Sequence, residues 1–353
     1  MSDLNPERVK EFAGKMVGVL NSGMLAIMIS VGRQTGLFET LASLPPSTSE
    51  EIANAGNLNE RYVREWLASM VTGGIVEYDA ESQAYSLPRE HAAVMTKAAG
   101  SRDMSRFMQY LPMLAEVEQD IIECFHHGGG LPYAKYPRFL SLMSESSGLR
   151  FDNLLVQKVI PLIGLTEKLE SGVNVLDIGC GNGRASNVLA QAFPNSHFVG
   201  FDFLQEGIEA AVSEMARMGH TNARFEVKDI AALNQPEQYD FITAFDVIHD
   251  QAKPELVLRE VYRALSSGGT FLMVDIRASS HLHDNINHPL APFLYGISTM
   301  HCTTVSLAMD GPGLGAVWGQ QVATTMLEEA GFKDITIHTL PEDTINNYFV
   351  ANK

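Results

Sequence analysis

From residue 172 onward, short apolar stretches alternate with stretches of helical periodicity. The apolar stretches are NVLDIG, HFVGFD, ARFEVKD, YDFITAFD and TFLMVDI, and two further strand-like stretches, DITIHT and NNYFVAN, lie near the end of the chain. Helical stretches such as GRASNVLAQAF, QEGIEAAVSEMARMG and ELVLREVYRALSSG separate them. Because buried apolar strands that alternate with helices form parallel sheets, this pattern predicts an α/β domain with helices on both faces.

Glycines and acidic residues stand at the ends of the first three predicted strands, where a doubly wound sheet binds its ligands. The first strand leads into DIGCGNG, whose glycines allow backbone amides to approach a ligand at a helix N-terminus. Arg184 replaces the third glycine of the dinucleotide pattern Gly-x-Gly-x-x-Gly, so the loop does not match that pattern. Asp202 could accept hydrogen bonds from both hydroxyls of a ribose, and Asp229 could accept one from an adenine amine.

This ordered set resembles the class I S-adenosylmethionine-dependent methyltransferases. VLDIGCGNG is similar to their first motif, and ALSSGGTFLMVD resembles the turn into their fifth strand. The resemblance covers residues 172–353 and implies a Rossmann-like seven-stranded sheet that binds S-adenosylmethionine. It assigns the methionine end of the cofactor to Asp177 and the glycine loop, the ribose to Asp202, and the adenine faces to Phe203 and Ile230, although these two could also be core residues. The predicted cofactor-binding residues are Asp177, Gly179, Gly181, Gly183, Asp202, Phe203, Asp229, Ile230 and Phe245.

Residues 47–98 predict a winged helix. STSEEIANAGNL begins with a Ser/Thr cap and an acidic first turn, and NERYVREWLASMVTGG carries an apolar stripe that ends at two glycines. IVEYDAESQAYSL then predicts two short strands around an acidic turn, which completes the order helix, helix, hairpin. GRQTGLFETLAS, the two helices and YSLPREHAAVM resemble the winged-helix dimerisation domain of small-molecule O-methyltransferases, and this resemblance implies a homodimer.

The charge of the chain argues against nucleic acid and membrane surfaces as partners. Residues 47–98 contain eight acidic and four basic side chains, and the net charge of the whole chain is −17. A field of this sign repels polyphosphate and anionic lipid. The apolar stretch 16–32 is only marginally long enough to span a bilayer, and we expect it at a subunit interface. Three widely spaced cysteines and an N-terminus without a signal pattern favour a cytoplasmic location.

The fourth strand ends in a group of acid–base side chains within TAFDVIHDQ, which includes Asp246. In the O-methyltransferases that the chain resembles, the fourth strand leads to a His-Asp pair whose histidine deprotonates the acceptor hydroxyl, and His249 and Asp250 match this pair. Plant-type members brace the histidine with two acids. Asp275, at the end of the fifth strand, could replace the first, but GPGLGAVWGQQ contains no acid that could replace the second. The predicted catalytic residues are therefore His249, Asp250 and Asp275, with the role of His249 as the base left open.

Two further segments are candidates for shaping a substrate site. HHGGGLPYAKYP, with Tyr133 and Tyr136, could close over a pocket or serve as a plain linker. The insert 278–321 should supply the pocket, with its glycines forming a tight wall beside Trp318. Its ligand-type side chains do not match a standard zinc spacing, so no metal site is predicted from His281, His283, His288, His301 and Cys302.

We therefore expect a winged-helix-like dimerisation domain at 1–100, connecting helices and a lid loop at 101–171, and a methyltransferase domain at 172–353. The expected activity is methyl transfer from S-adenosylmethionine, which becomes S-adenosylhomocysteine, to a small-molecule acceptor, with oxygen as the favoured acceptor atom and nitrogen or carbon left open. Two alternatives remain at this point. One is a transcriptional regulator that reads DNA through the winged helix and senses the cofactor, and the other is a cofactor-binding protein without turnover.

Overall fold

A computed structural model describes residues 4–353, which divide into two compact units. The first unit ends at Ala115 and the second is Glu116–Lys353. The segment expected to connect two domains, 101–171, is therefore shared between the units, and its first fifteen residues belong with the winged helix.

The first unit contains the predicted winged helix. Its helices and strands are α1 (Pro6–Thr35), α2 (Leu37–Ser43), α3 (Ser49–Gly56), α4 (Glu60–Thr72), β1 (Glu77–Asp79), β2 (Ala84–Ser86), α5 (Arg89–Met95) and α6 (Tyr110–Ala115), with 3-10 turns at Lys97–Arg102 and Ser105–Gln109. Thr48 and Glu51 form a reciprocal capping box at the start of α3, as the sequence predicts. The apolar stripe of α4 packs into the core through Trp66 and Met70.

Helix α1 presents a long apolar surface. Residues 4–22 of the chain are exposed within the first unit, and only the C-terminal part of α1 reaches the core, through Ile29. Large exposed apolar side chains along α1 are Val9, Phe12, Met16, Val17, Val19, Leu20, Met24, Ile27 and Val31. By length and composition α1 could also cross a membrane. A single helix of this kind near the N-terminus is weak evidence for a membrane-spanning segment. The predicted subunit interface remains a prediction.

The second unit is an α/β domain. Its strands are β3 (Asn174–Ile178), β4 (His197–Asp202), β5 (Ala223–Val227), β6 (Tyr239–Phe245), β7 (Leu265–Ile276), β8 (Lys333–Leu340) and β9 (Asp343–Asn352). Its helices are α7 (Glu118–His127), α8 (Phe139–Arg150), α9 (Ile160–Leu162), α10 (Thr166–Ser171), α11 (Arg184–Ala192), α12 (Gln205–Met218), α13 (Pro254–Ala264), α14 (Leu282–Asn285), α15 (Ala291–Ile297), α16 (Thr303–Leu307) and α17 (Gly319–Ala330). Shorter turns are 3-10 at Tyr133–Lys135, Ile230–Ala232 and Ile248–Asp250, and π-helical at Phe151–Val159 and Ser298–Cys302.

The seven strands form one sheet in the order β5-β4-β3-β6-β7-β9-β8. The first five strands in this order pair in parallel, and β9 pairs antiparallel with both β7 and β8. The strand order switches between β3 and β6, so the ends of these two strands mark the expected ligand crevice. Buried apolar clusters cover both faces of the sheet, as the near-continuous apolar strands predict. The predicted Rossmann-like seven-stranded sheet is confirmed.

One predicted boundary is wrong. The stretch ELVLREVYRALSSG was expected to be helical throughout, but α13 ends at Ala264 and β7 begins at the next residue. Leu265 already pairs with Tyr239 of β6, and the register shifts before Thr270. The Ser-Ser-Gly-Gly segment therefore belongs to the sheet and not to α13, because glycine is less stable in a helix interior than any other residue except proline.

Candidate active site

The glycine loop between β3 and α11 has the shape that an approaching ligand requires. Gly179, Gly181 and Gly183 all have positive φ, where L side chains are strained. A Cβ on Gly179 would lie 2.6 Å from Val247, and one on Gly183 would lie 2.5 Å from Ala211. A Cβ on Gly181 would instead meet open space, with Leu140 Cδ1 at 4.0 Å as its nearest neighbour. Gly181 thus exposes bare backbone where a cofactor could rest, and the loop fits the predicted group.

Asp177 lies near the end of β3, just before this loop. Its side chain is buried, and its two oxygens accept hydrogen bonds from Thr243 Oγ1 and Ser186 Oγ, both at 2.8 Å. Burial raises the pKa of Asp177 to about 7, against the two hydrogen bonds that lower it. The contacts give Asp177 a positioning role between β3, β6 and α11, and its predicted contact with the methionine end remains a prediction.

Asp202 and Asp229 stand at the ends of β4 and β5, as predicted. Asp202 is buried, and its two carboxylate oxygens accept hydrogen bonds from the amides of Gly181 and Leu204 at 2.8 and 2.9 Å. Each oxygen keeps a second acceptor position, so a ribose hydroxyl could still bind it. Asp229 is exposed and caps the following 3-10 turn through the amide of Ala231. Both carboxylates border the crevice edge of the sheet.

The three predicted apolar cofactor contacts differ in their exposure. Phe203 is 51% exposed, and its ring and that of Tyr133 meet in an edge-to-face contact. Ile230 is buried in a core cluster, which matches the alternative interpretation that it is a core residue. Phe245 is half-buried and packs edge-on against Phe151 with ring centroids 4.8 Å apart.

His249 lies in a buried cluster of acidic side chains just beyond the end of β6. Its Nδ1 is 2.8 and 3.0 Å from the two oxygens of Asp275, and its Nε2 is 3.4 Å from Asp250 Oδ1. Burial opposes protonation, yet Asp275 and Asp250 together raise the pKa of His249 well above its usual value. Asp275 therefore occupies the position of the first acidic brace, and the second acidic neighbour is Asp250 itself rather than a residue near Trp318.

The loop that contains Tyr133 closes over this cluster. Tyr133 Oη donates a hydrogen bond to Asp250 Oδ2 at 2.6 Å, and Tyr136 Oη donates one to the carbonyl of Met300 at 2.5 Å. Both rings pack against His301, which is fully buried and stacked on Phe139. Of the two interpretations left open by the sequence, a covering loop rather than a plain linker matches these contacts.

Asp246 has a partner, Arg150, that the sequence does not predict. Asp246 follows β6 with φ of +57°, an uncommon conformation for a non-glycine residue. Its Oδ2 accepts a hydrogen bond from Arg150 at 3.0 Å, and Arg150 also lies 4.0 Å from Asp343. Burial raises the pKa of Asp246, and Arg150 opposes that shift. Arg150 at the end of α8 thus fixes the strained turn that leads to His249, and the sequence offered no pattern linking the two.

The insert 278–321 contributes only part of what the sequence predicted. Its buried Cys302 joins His249 and Asp250, and one ligand-type atom from each of the three lies within 4.8 Å of the others. His281 and His283 are exposed, and their rings stack on each other. Trp318 is buried in a core cluster of the second unit, and the pocket wall expected beside it remains a prediction.

Two protein families match separate parts of the chain. A family described as an Rv2258c-like winged HTH domain matches residues 23–97, and one described as a methyltransferase domain matches residues 169–331. These matches coincide with the winged helix of the first unit and with most of the α/β sheet of the second.

Three curated relatives match shorter parts of the chain. An arsenite methyltransferase of Aquipseudomonas alcaligenes is 34% identical over 137 residues, which cover 36% of this chain and 39% of the relative. A malonyl-[acyl-carrier protein] O-methyltransferase of Bacillus cereus is 30% identical over 29% of this chain and 37% of the relative. Phosphoethanolamine N-methyltransferase 1 of Arabidopsis thaliana is 32% identical over 40% of this chain and 30% of the relative. The chain thus spans well under half the length of these relatives.

Solved structures match over nearly the full length. A putative O-methyltransferase from Nostoc punctiforme has a TM-score of 0.74 and 20% identity, with 96% of this chain and 98% of that chain covered. Human N-acetylserotonin methyltransferase in complex with S-adenosylmethionine has a TM-score of 0.65 and 17% identity, with 100% and 99% covered. At these identities the likeness shows the fold, a winged-helix unit followed by a methyltransferase sheet, and neighbours solved with S-adenosylmethionine support that cofactor.

Proposed function

We propose that this chain transfers a methyl group from S-adenosylmethionine to a small-molecule acceptor. Its residues 23–97 match the Rv2258c-like winged HTH domain family, and its residues 169–331 match the methyltransferase domain family. The cofactor supplies an electrophilic methyl group on a sulfonium. The protein then has to hold the acceptor in line and remove its proton. Oxygen is the proposed acceptor atom, because a hydroxyl requires this proton removal and an acid–base cluster lies at the same edge of the sheet as the glycine loop.

The position of His249 carries this proposal. Val247, two residues earlier, packs against Gly179 of the loop, so the cluster and the loop share one crevice edge. Asp275 orients the imidazole through Nδ1, and both acidic neighbours favour a positive charge on it. A buried histidine held in this way is suited to proton removal from a bound acceptor. The three curated relatives are named as an arsenite methyltransferase, an O-methyltransferase and an N-methyltransferase. The matched domain alone therefore leaves the acceptor atom open.

The test uses S-adenosylmethionine with a ¹³C-labelled methyl group and a panel of hydroxylated aromatic compounds. We expect S-adenosylhomocysteine to form with an acceptor, and the chemical shift of the transferred carbon to identify an O-methyl group. His249→Ala should lower turnover at least ~100-fold, as loss of a general base does, while His283→Ala, an exposed histidine of the insert, should not change it. An N-methyl or C-methyl product would overturn the assignment to oxygen. Unchanged turnover in His249→Ala would remove that residue from the mechanism.

A regulator that reads DNA finds no support in the winged helix. The two arginines of α4 pair with glutamates on the same helix, Arg61 with Glu65 at 2.6 Å and Arg64 with Glu60 at 3.3 Å. Helix α4 therefore carries no net positive charge to attract phosphate. Gel shifts at moderate salt should therefore show no retardation of duplex DNA, and a salt-sensitive shift would favour the regulator.

We also propose a homodimer and a cytoplasmic location. The exposed apolar side chains of α1 support the dimer, since a large apolar patch usually marks an interaction surface. All three cysteines are free thiols, which fits a reducing compartment.

A further inference from the structure

We propose that Tyr133 is a positioning residue that keeps Nε2 of His249 available as the base. Its hydroxyl binds the carboxylate of Asp250, limits the contact of that carboxylate with the imidazole, and so weakens the hold of the imidazole on its proton. The inference rests on the proposed function for the role of His249 as a base, whereas the contact between Tyr133 and Asp250 follows from the geometry alone. Tyr133 would act through Asp250 and not on the acceptor itself.

The two carboxylates beside His249 do not contact it equally. Nδ1 of His249 lies 2.8 Å from Asp275 Oδ1, which is a normal hydrogen-bond distance. Nε2 lies 3.4 Å from Asp250 Oδ1, which is long for a hydrogen bond, although Asp250 is the next residue in the chain and both side chains are buried. The other oxygen of Asp250, Oδ2, accepts a hydrogen bond from Tyr133 Oη at 2.6 Å. Asp250 is therefore bound tightly by Tyr133 and only loosely by His249.

The hydroxyl of Tyr133 directs the positive end of its O–H dipole at Asp250. Such a dipole stabilises the negative charge of Asp250 and disfavours a positive charge on His249 beside it. Burial raises the pKa of Asp250, and the charge of His249 and the hydrogen bond from Tyr133 oppose that rise. Burial and Asp250 raise the pKa of Tyr133 well above its ordinary value, so the hydroxyl keeps the proton that it donates. Without this O–H, both Asp250 and His249 should bind a proton more tightly.

This effect matters because a histidine has to be uncharged before it can act as a base. Burial disfavours the charged form of His249, but Asp275 and Asp250 outweigh burial and raise the pKa of His249 well above its ordinary value. A hydrogen bond that reduces the influence of Asp250 therefore enlarges the uncharged fraction of His249. The acceptor hydroxyl could then give its proton to Nε2.

The covering loop is attached to the insert at points outside the acid–base cluster. The amide of Leu131 donates a hydrogen bond to Thr304 Oγ1 at 2.7 Å. Tyr136 Oη donates one to the carbonyl of Met300 at 2.5 Å. Removal of the Tyr133 hydroxyl alone should therefore leave the loop in place, so that the effect on His249 is electrostatic.

The other ionisable groups around His249 stay the same when only this hydroxyl is removed. They lie on α8, at the end of β6, on β7 and in the insert, and they are Asp246 with its partner Arg150, Asp250, Asp275, His301 and Cys302. Burial lowers the pKa of His301 to about 3 and raises that of Cys302 to about 12, so both are uncharged near neutral pH. Among the carboxylates, Asp250 is the one that Tyr133 contacts. A change in the pKa of His249 without the hydroxyl would therefore report on Asp250.

The test measures the pKa of His249 in two variants of the covering loop. Tyr133→Phe keeps the ring and removes only the hydroxyl, and Tyr136→Phe is the matched control. The full chain, with ¹³C at Cε1 of its eleven histidines, would be titrated by NMR without cofactor or acceptor, and His249→Gln would identify the His249 signal. We expect the pKa of His249 to rise by about 0.5–1 pH unit in Tyr133→Phe, because a lost hydrogen bond to a neighbouring charge is a smaller change than a lost charge. Tyr136→Phe should leave it as in the wild type, because that hydroxyl binds a backbone carbonyl.

Asp250→Asn tests whether Tyr133 acts through Asp250. This variant should lower the pKa of His249, because one of the two neighbouring carboxylates loses its charge. Tyr133→Phe should then raise the pKa by much less in the Asp250→Asn background than in the wild type. Equal rises in both backgrounds, no rise in a folded Tyr133→Phe variant, or a wild-type His249 that stays charged throughout the titration would each overturn the proposal. Thermal unfolding would show whether each variant is folded.

The pH dependence of turnover keeps this proposal apart from the proposed function. When catalysis needs an uncharged base, the acidic limb of kcat/KM against pH follows the pKa of that base in the free enzyme. Tyr133→Phe should move this limb to higher pH by the same amount and approach the wild-type rate above it. A rate lowered equally at every pH would indicate structural damage and overturn the positioning role. Absence of methyl transfer would refute the proposed function, and the NMR titration would still decide whether Tyr133 controls the proton affinity of His249.

Discussion

Replacing Gly181 by alanine should weaken binding of S-adenosylhomocysteine while leaving the fold nearly intact. Gly181 has φ of +54°, and the added methyl group would meet no protein atom closer than Leu140 Cδ1 at 4.0 Å. The left-handed backbone costs an alanine roughly 1–2 kcal/mol, so the unfolding midpoint should fall by only a few degrees. The methyl group would occupy the open space in front of the loop, where the cofactor is expected. We therefore expect at least tenfold weaker binding, or about 1.4 kcal/mol.

Gly183→Ala is the matched control for this loop. Its φ is +70°, and the new methyl group would lie 2.5 Å from the Cβ of Ala211 and 2.7 Å from Phe225. Backbone strain of about 1–2 kcal/mol and overpacking of about 1–3 kcal/mol should both reduce the free energy of unfolding. Thermal unfolding and calorimetric titration of the two variants would measure both effects. Wild-type affinity in a folded Gly181→Ala variant would refute the argument that this backbone faces the cofactor.

Three further predictions concern the rest of the chain. Burial raises the pKa of Asp177 to about 7, above its unfolded value of about 3.9, so ionisation destabilises the fold and stability should fall as pH rises from about 4 to 7. Asp177→Asn should lack this fall in urea titrations, and an identical pH dependence in both proteins would contradict it. Arg150→Met should cost about 3–5 kcal/mol of unfolding free energy, because buried Asp246 loses its cation, whereas Arg61→Met at an exposed pair should cost at most about 1 kcal/mol; equal losses in chemical denaturation would refute this. Leu20→Glu on α1 should convert a dimer into a monomer in analytical ultracentrifugation, and a monomeric wild type would contradict the proposed interface.

The sheet and its strand-end residues could be predicted from the sequence because both follow from local patterns. Short apolar runs that alternate with helical periodicity specify buried parallel strands. Parallel strands end at one edge, which places Asp202, Asp229 and His249 along the same crevice without any knowledge of the packing. The contact between His249 and Asp275 follows in the same way, since β6 and β7 are neighbours in the sheet.

The contacts that complete the site could not be predicted because they join distant, irregular segments. Tyr133 and Asp250 are 117 residues apart, and Arg150 and Asp246 are 96 apart. Cys302 lies in a π-helical turn, and no periodic pattern of apolar residues predicts such a turn. The role of Ile230 could not be predicted for a different reason. The sequence is the same whether an apolar side chain at a strand end faces a ligand or the core.

Calorimetric titration of the full-length protein with S-adenosylhomocysteine tests the central claim most directly. We propose that this product binds in the crevice beside the glycine loop, Asp202 and Phe203. We expect saturable binding of one molecule per chain. A folded protein that gives no saturable binding would contradict it.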